Sequence, residues 1–206
     1  MSSGEHIRCF LLFFFAFVLF TIIGTLSHEW GHVVTAQILG YDTELHYGFM
    51  EFNEGKNVAH SLFDELLIRA GGPLQTMITG IFGLIILIYS KRKYPDSFYW
   101  PHWLATFLSL FWLREVFNMV SSIADKILNG DLSFYGGDEL HLAKLLELPH
   151  GTFAIPLALM STLVGIYIVF VAIPKIYRIN FIFAGLSGGL FGFWFWLVEF
   201  GPEIMP

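Results

Sequence analysis

An all-α polytopic membrane protein with about five transmembrane helices, and a short strand or hairpin loop between the first two, is the fold class the sequence predicts. Three observations carry this reading. Of 206 residues, 55% are hydrophobic and only 14% charged, against about 25% charged in an ordinary soluble domain. Five apolar stretches are long enough to cross a hydrocarbon core of about 30 Å, which takes roughly 20 helical residues. Together these stretches take up most of the chain and leave no room for a separate soluble or adaptor domain. A single integral-membrane domain over residues 1–206 is expected, with a core at 8–151 and extra helices at 152–200.

The first span is placed at 8–39. Arg8 precedes the very apolar run Cys9 to Ile23, as in a signal peptide, but no small-x-small cleavage signal follows, so the span is expected to be retained. Thr43 to Phe52 reads TELHYGFMEF, with Leu45, Tyr47 and Phe49 on one side of an extended chain, which predicts a strand or hairpin. Further spans are placed at 66–90 and 100–123. Gly71-Gly72-Pro73 reads as a local helix start, because proline suits the first turn. Asn129 to Gly137 is turn chemistry, and Asp138 to Leu148 is a short helix with Leu142, Leu145 and Leu146 at helical spacing, ended by Pro149 and Gly151. The last two spans are placed at 152–173 and 180–200, where Gly185, Gly188, Gly189 and Gly192, like Gly80 and Gly83 earlier, are expected at close helix contacts.

Net charge is −6, which argues against a nucleic-acid partner, and no Lys/Arg run suggests one. Cys9 is the one cysteine, so neither an internal disulfide nor a thiolate metal cluster is available. Basic residues divide into Arg8, Lys91, Arg92, Lys93, Lys175 and Arg178 on the N-terminal side and Lys56, Arg69, Lys126 and Lys144 on the other. The excess favours a cytoplasmic N-terminus by the positive-inside rule.

Residues 28–32 read His-Glu-Trp-Gly-His, a match to HExxH. On a helix, His28 and His32 lie one turn apart on one face and reach a common metal, while Glu29 stands close enough to take a proton from a water beside it. Zinc is the expected ion, since imidazole suits it and catalytic zinc keeps three protein ligands plus a water. The pentapeptide also arises by chance, and a structural polar cluster is the alternative. Three ionisable residues within one turn of an otherwise apolar helix are costly in a bilayer and normally functional. Projection at 100° per residue groups Thr21, Gly24, Thr25, His28, Gly31, His32, Thr35 and Ala36 on one small, polar stripe, with Phe13, Phe14, Phe17 and Phe20 turned to lipid.

The sequence resembles the site-2 protease family of intramembrane zinc metalloproteases in three places. HEWGH followed by VVTAQILG is similar to the family's HExGH and the helix after it; Arg69 to Gln75, RAGGPLQ, is similar to its Ala-Gly-Pro-Leu segment. Phe117-Asn118-Met119, then Gly137-Asp138-Glu139-Leu140 and a leucine-rich helix, resemble its later Asn- and Asp-containing segments. The resemblance covers residues 20 to about 150. It implies Asp138 as third zinc ligand and Asn118 as a group binding the substrate backbone or oxyanion. Two departures from the family pattern stand out: Ser121 occupies the position of its proline, and Asp138 follows Asn118 at a distance of 20 residues and is itself followed by Glu139 rather than Gly. Asp125, Asp131 and Glu115 are rival third ligands; Arg114 offers Glu115 an ion pair instead. His141, one turn from Asp138, is a candidate supporting residue, and Asp138 also suits a helix start.

The function expected from the resemblance is hydrolysis of a peptide bond in or near a transmembrane segment of a membrane-protein substrate, within the lipid bilayer of the cell membrane. Such a substrate helix must unwind locally, and the segment 43–52 offers a strand to pair with it. Another membrane zincin, acting on peptides or prenylated tails, and a non-peptidase membrane protein that binds or transports metal are the alternatives. Any adaptor protein is a separate partner. Orientation stays open, since bacterial members of the family resemble a cytoplasm-facing arrangement, opposite to the charge count.

Overall fold

The computed structural model describes residues 2–53, 61–94, 97–129 and 137–206. Helix α1 (Ser3–Ile38) opens five residues before the expected span, because Ser2 and Glu5 close a capping box: the Glu5 carboxylate accepts from the Ser2 N–H at 2.6 Å and the Ser2 hydroxyl accepts from the Glu5 N–H at 3.4 Å. It ends in a Schellman motif. Gly40 takes φ 91°, its N–H bonds the Gln37 carbonyl, and the Tyr41 N–H reaches the Ala36 carbonyl. Tyr41 then packs on Ala36 and Ile68, and this small core carries the hairpin strands β1 (Asp42–Leu45) and β2 (Met50–Asn53) through Met50 and Phe52.

The strands are antiparallel, with Asp42 opposite Asn53 and Leu45 opposite Met50. Tyr47 and Phe49 therefore sit in the turn between strands rather than on one side of a strand. The turn is clasped by the end of the chain: the Tyr47 N–H donates to the Met205 carbonyl at 3.2 Å, the Trp196 indole N–H donates to the Tyr47 carbonyl at 2.6 Å, and His46 bonds the Pro206 carbonyl.

Helix α2 (Leu62–Lys93) starts at Ser61, whose hydroxyl accepts from the Asp64 N–H at 3.1 Å. Gly71, Gly72 and Pro73 are thus interior, not a helix start as the local rule suggested. What they provide is close approach. A Cβ on Gly31 or on Gly71 would stand 2.5 Å from the other's carbonyl oxygen, so α1 and α2 touch backbone to backbone there.

Helix α3 (Trp100–Ser109), a tight turn at Leu110–Trp112 and α4 (Leu113–Asn129) make the third span, of which Trp100–Ala124 is long and apolar enough to cross a membrane. The short α5 (Asp138–Leu145) follows. Helix α6 (Ala154–Tyr167), widened at Ile168–Ala172, and α7 (Lys175–Trp194), widened at Phe195–Phe200 and closed by α8 (Gly201–Ile204), supply the fourth and fifth spans. Candidate spans therefore run Ser3–Ile38, Leu62–Lys93, Trp100–Ala124, Ala154–Ala172 and Lys175–Ile204, and the chain has the architecture of a multi-pass membrane protein.

The phenylalanines of α1 do not face lipid as a group. Phe13 meets Trp103 at 4.6 Å and Phe181 at 5.3 Å, Phe17 meets Phe107 at 5.1 Å and Phe181 at 4.9 Å, and Phe20 stacks on Phe107 at 4.8 Å. These rings form the core of the bundle where α1, α3 and α7 meet. Lipid is met instead by Phe15, Leu19, Phe82, Leu163 and Phe183, all well exposed. On α7, Gly188 abuts the Phe14 backbone and Gly192 abuts Val18 and Thr21, as close helix contact requires; Gly189 has nothing within 4 Å of its Cβ direction.

Candidate metal centre

Helical spacing puts His28 and His32 on the inner face of α1, where His28 is 1% and His32 6% exposed, with Glu29 also buried and Trp30 turned outward. Helix α2 fixes both rings from behind. His28 Nδ1 lies 3.0 Å from the Thr76 hydroxyl and His32 Nδ1 lies 2.6 Å from the Ile68 carbonyl, which selects the Nδ1–H tautomer for a metal-bound form and turns both Nε2 atoms inward. Gly72 faces that point. A Cβ there would stand 2.6 Å from His28 Nε2 and in contact with His32 Nε2, so only glycine leaves the space between the rings and α2.

The third group arrives from α5. Gly137, at φ 92°, turns the chain so that Asp138 opens the helix with its carboxylate over the two rings. Asp138 Oδ2 is 3.0 Å from His28 Nε2 and 3.2 Å from His32 Nε2, and the two nitrogens are 3.2 Å apart. Ligands held about 2.0–2.1 Å from a tetrahedral ion stand about 3.3 Å from one another. The triangle matches that spacing closely. Two imidazole nitrogens and one carboxylate oxygen, 110 residues apart in sequence, thus form a triad able to hold a metal ion.

Burial raises the Asp138 carboxyl, but the hydrogen bonds to His28 and His32 outweigh it and hold it well below the usual carboxylate range. An ionised oxygen is what a cation site needs, and a divalent ion bound there would take the place of the protons shared in this triangle. Asp138 Oδ1 faces away, 3.9 Å from the Arg69 guanidinium. Arg114 on α4 lies 3.7 Å from the Glu29 carboxylate, so the ion pair expected between Arg114 and Glu115 is made with Glu29 instead.

Glu115 stands apart from the triad. It is 3% exposed and faces the 2%-exposed Glu139, a neighbour the spacing along the chain could not foretell. Burial, with the Asp138 charge alongside, holds the Glu139 carboxyl above the usual range. Asp131 and the side chain of Asp125 lie outside the described residues. Asn118 is half-buried on α4 with its amide beside the Gly137 backbone, next to the site but not in the triad. His141 is exposed and bonds the Gly137 carbonyl at 2.9 Å, bracing the turn that presents Asp138.

Sequence reading missed Thr76, Arg69 and Arg114. Each carried a signal: two were ionisable groups within apolar stretches, and Thr76 lies one helical turn from Gly72, on the same face. No family model, curated protein or solved structure matches the chain. The functional reading therefore rests on the site itself.

Proposed function

We propose that this protein is an intramembrane zinc metalloendopeptidase, similar in its site to the site-2 proteases, that hydrolyses peptide bonds in or near a transmembrane segment of another membrane protein. The observation that carries the reading is the convergence of His28 Nε2, His32 Nε2 and Asp138 Oδ2 beside a buried glutamate one residue from the first ligand. A histidine pair with one carboxylate suits zinc among the available divalent ions. Bound there, zinc supplies a Lewis acid that brings the pKa of a coordinated water near neutrality and polarises the scissile carbonyl.

The chain's own residues do the rest. Glu29 takes the proton of the attacking water and returns it to the leaving amine, with Arg114 fixing its carboxylate. Thr76 and the Ile68 carbonyl hold the two rings, and Arg69 holds the outer oxygen of Asp138. Asn118, beside the Gly137 turn, offers its amide to the substrate backbone or to the developing oxyanion. Burial of the site between α1, α2 and α5 restricts water, as hydrolysis inside a bilayer requires.

A metal-binding or transport protein would use the same triad and leave Glu29 without a task. The two readings separate on Glu29→Gln, assayed with a panel of reporter membrane spans. The protease reading expects the variant to retain wild-type zinc content after detergent purification while its cleavage rate drops at least ~100-fold. Undiminished cleavage, or a purified wild type that neither holds zinc nor cuts any reporter, sinks it.

A further inference from the structure

A cavity of about 230 Å³ opens between α1, α3, α4 and α7, walled by Phe20, Phe107, Phe111 and Phe193 and reaching Gly189 on its outer side. Its inner end is the back of the metal centre. Thr76, which holds His28, lines it, and so does Arg114, which faces Glu29. We infer that this cavity receives a large apolar side chain of the substrate, aromatic or long aliphatic, flanking the bond to be cut, and so sets sequence preference. The inference rests on the protease reading above.

Three observations favour that occupant. An apolar cavity of about 150 Å³ already takes up a benzene ring, so this one accommodates a phenyl or indole group. Arg114 lines the cavity with its side chain 23% exposed, so the apolar space ends in a guanidinium whose donors suit a peptide carbonyl. Depth argues against a lipid. Arg114 lies about 15 Å before Ala124 at 1.5 Å per residue, where a lipid headgroup would have no access to pair with it, whereas an unwound peptide carries carbonyls at every depth. Gly189 has open space where its side chain would be, and Phe193 stacks on Phe117 at 4.0 Å with rings 9° from parallel, which makes one position a site to fill and the other a wall to remove.

The test uses the full-length protein and a reporter span whose cut bond has been mapped, with each flanking residue varied among Ala, Leu, Phe and Trp. Wild type is expected to prefer Phe over Ala at one flanking position by roughly tenfold in kcat/KM. Gly189→Leu, which fills the cavity, is expected to bring that ratio close to one, and Phe193→Ala, which enlarges it, to shift the optimum to Trp, both with zinc content retained. Equal rates for all reporters in wild type, or wild-type ratios in both variants, overturn the inference and leave the protease standing. Release of a copurifying lipid from Gly189→Leu with unaltered ratios overturns it in the same way. Should wild type cut no reporter at all, the protease reading fails and the pocket falls with it.

Discussion

Asp138, half-buried, and Glu115, buried, are both acids near one helix-borne histidine pair, yet their surroundings give them opposite tasks. Oδ2 of Asp138 is shared between two imidazoles, while Glu115 faces another carboxyl, Glu139. Removing the charge from Asp138 deletes a ligand; removing it from Glu115 leaves the triangle intact. Asp138→Asn is therefore expected to lower zinc affinity by about 10- to 100-fold or more, since even groups that only orient ligands have effects of that size. Glu115→Gln leaves a polar group facing Glu139 and is expected to hold as much zinc per chain as wild type. Metal stoichiometry after dialysis against graded chelator reads both. Zinc loss in Glu115→Gln with retention in Asp138→Asn would transfer the third-ligand role to the glutamate.

At the scale of elements, the site depends on how closely α1 and α2 approach. Gly31 lies between the two histidines on α1 and meets Gly71 on α2, next to Gly72, so a Cβ at Gly31 would drive the helices apart at the metal centre. Gly31→Ala is expected to destabilise the bundle by about 1–3 kcal/mol, the usual cost of overpacking, and to loosen zinc. Gly189→Ala meets open space and gains helix propensity, so it is expected to be neutral or stabilising by up to about 1 kcal/mol. Thermal unfolding of both variants in detergent reads the contrast; equal stability would show that the backbone contact has no energetic weight. The same contact explains what the sequence could not tell. Gly71-Gly72-Pro73 looks like a helix start by local chemistry, and only Gly31, forty residues earlier, gives it another purpose. Phe13, Phe17 and Phe20 pose a related problem: in a membrane, lipid and protein interior are equally apolar, so an aromatic face does not announce whether it meets Phe181 or an acyl chain. The histidines, the hairpin at 42–53 and the start of α5 at Asp138 were legible because ionisable groups and turn residues have few other uses inside an apolar chain, though the alternation at Leu45, Tyr47 and Phe49 proved to run into the turn.

For the molecule as a whole, the fold sharpens the charge asymmetry across the membrane. The start of α1, the end of α2 and the start of α7 share one side and carry Arg8, Lys91, Arg92, Lys93, Lys175 and Arg178; the hairpin and α5 lie on the other with the metal centre nearer to them. Of the four basic residues that the sequence places on that second side, Arg69 sits within α2 and faces Asp138, so it belongs to the site rather than to a loop. The comparison becomes six cations near helix ends against Lys56, Lys126 and Lys144. The positive-inside rule then favours a cytoplasmic N-terminus and an outward hairpin, the reverse of the arrangement that resemblance to bacterial site-2 proteases implies. Because Cys9 is the one native cysteine, single-cysteine reporters are simple to build on a Cys9→Ser background. A membrane-impermeant maleimide applied to intact cells is expected to label Glu51→Cys in β2 directly and Lys93→Cys at the end of α2 only after permeabilisation. The opposite pattern would place the hairpin in the cytoplasm and make the family resemblance, not the charge count, the better guide. Under the expected pattern the loops nearest His28 and His32 open to the exterior, so an external chelator should strip zinc from whole cells faster than it does when trapped inside them.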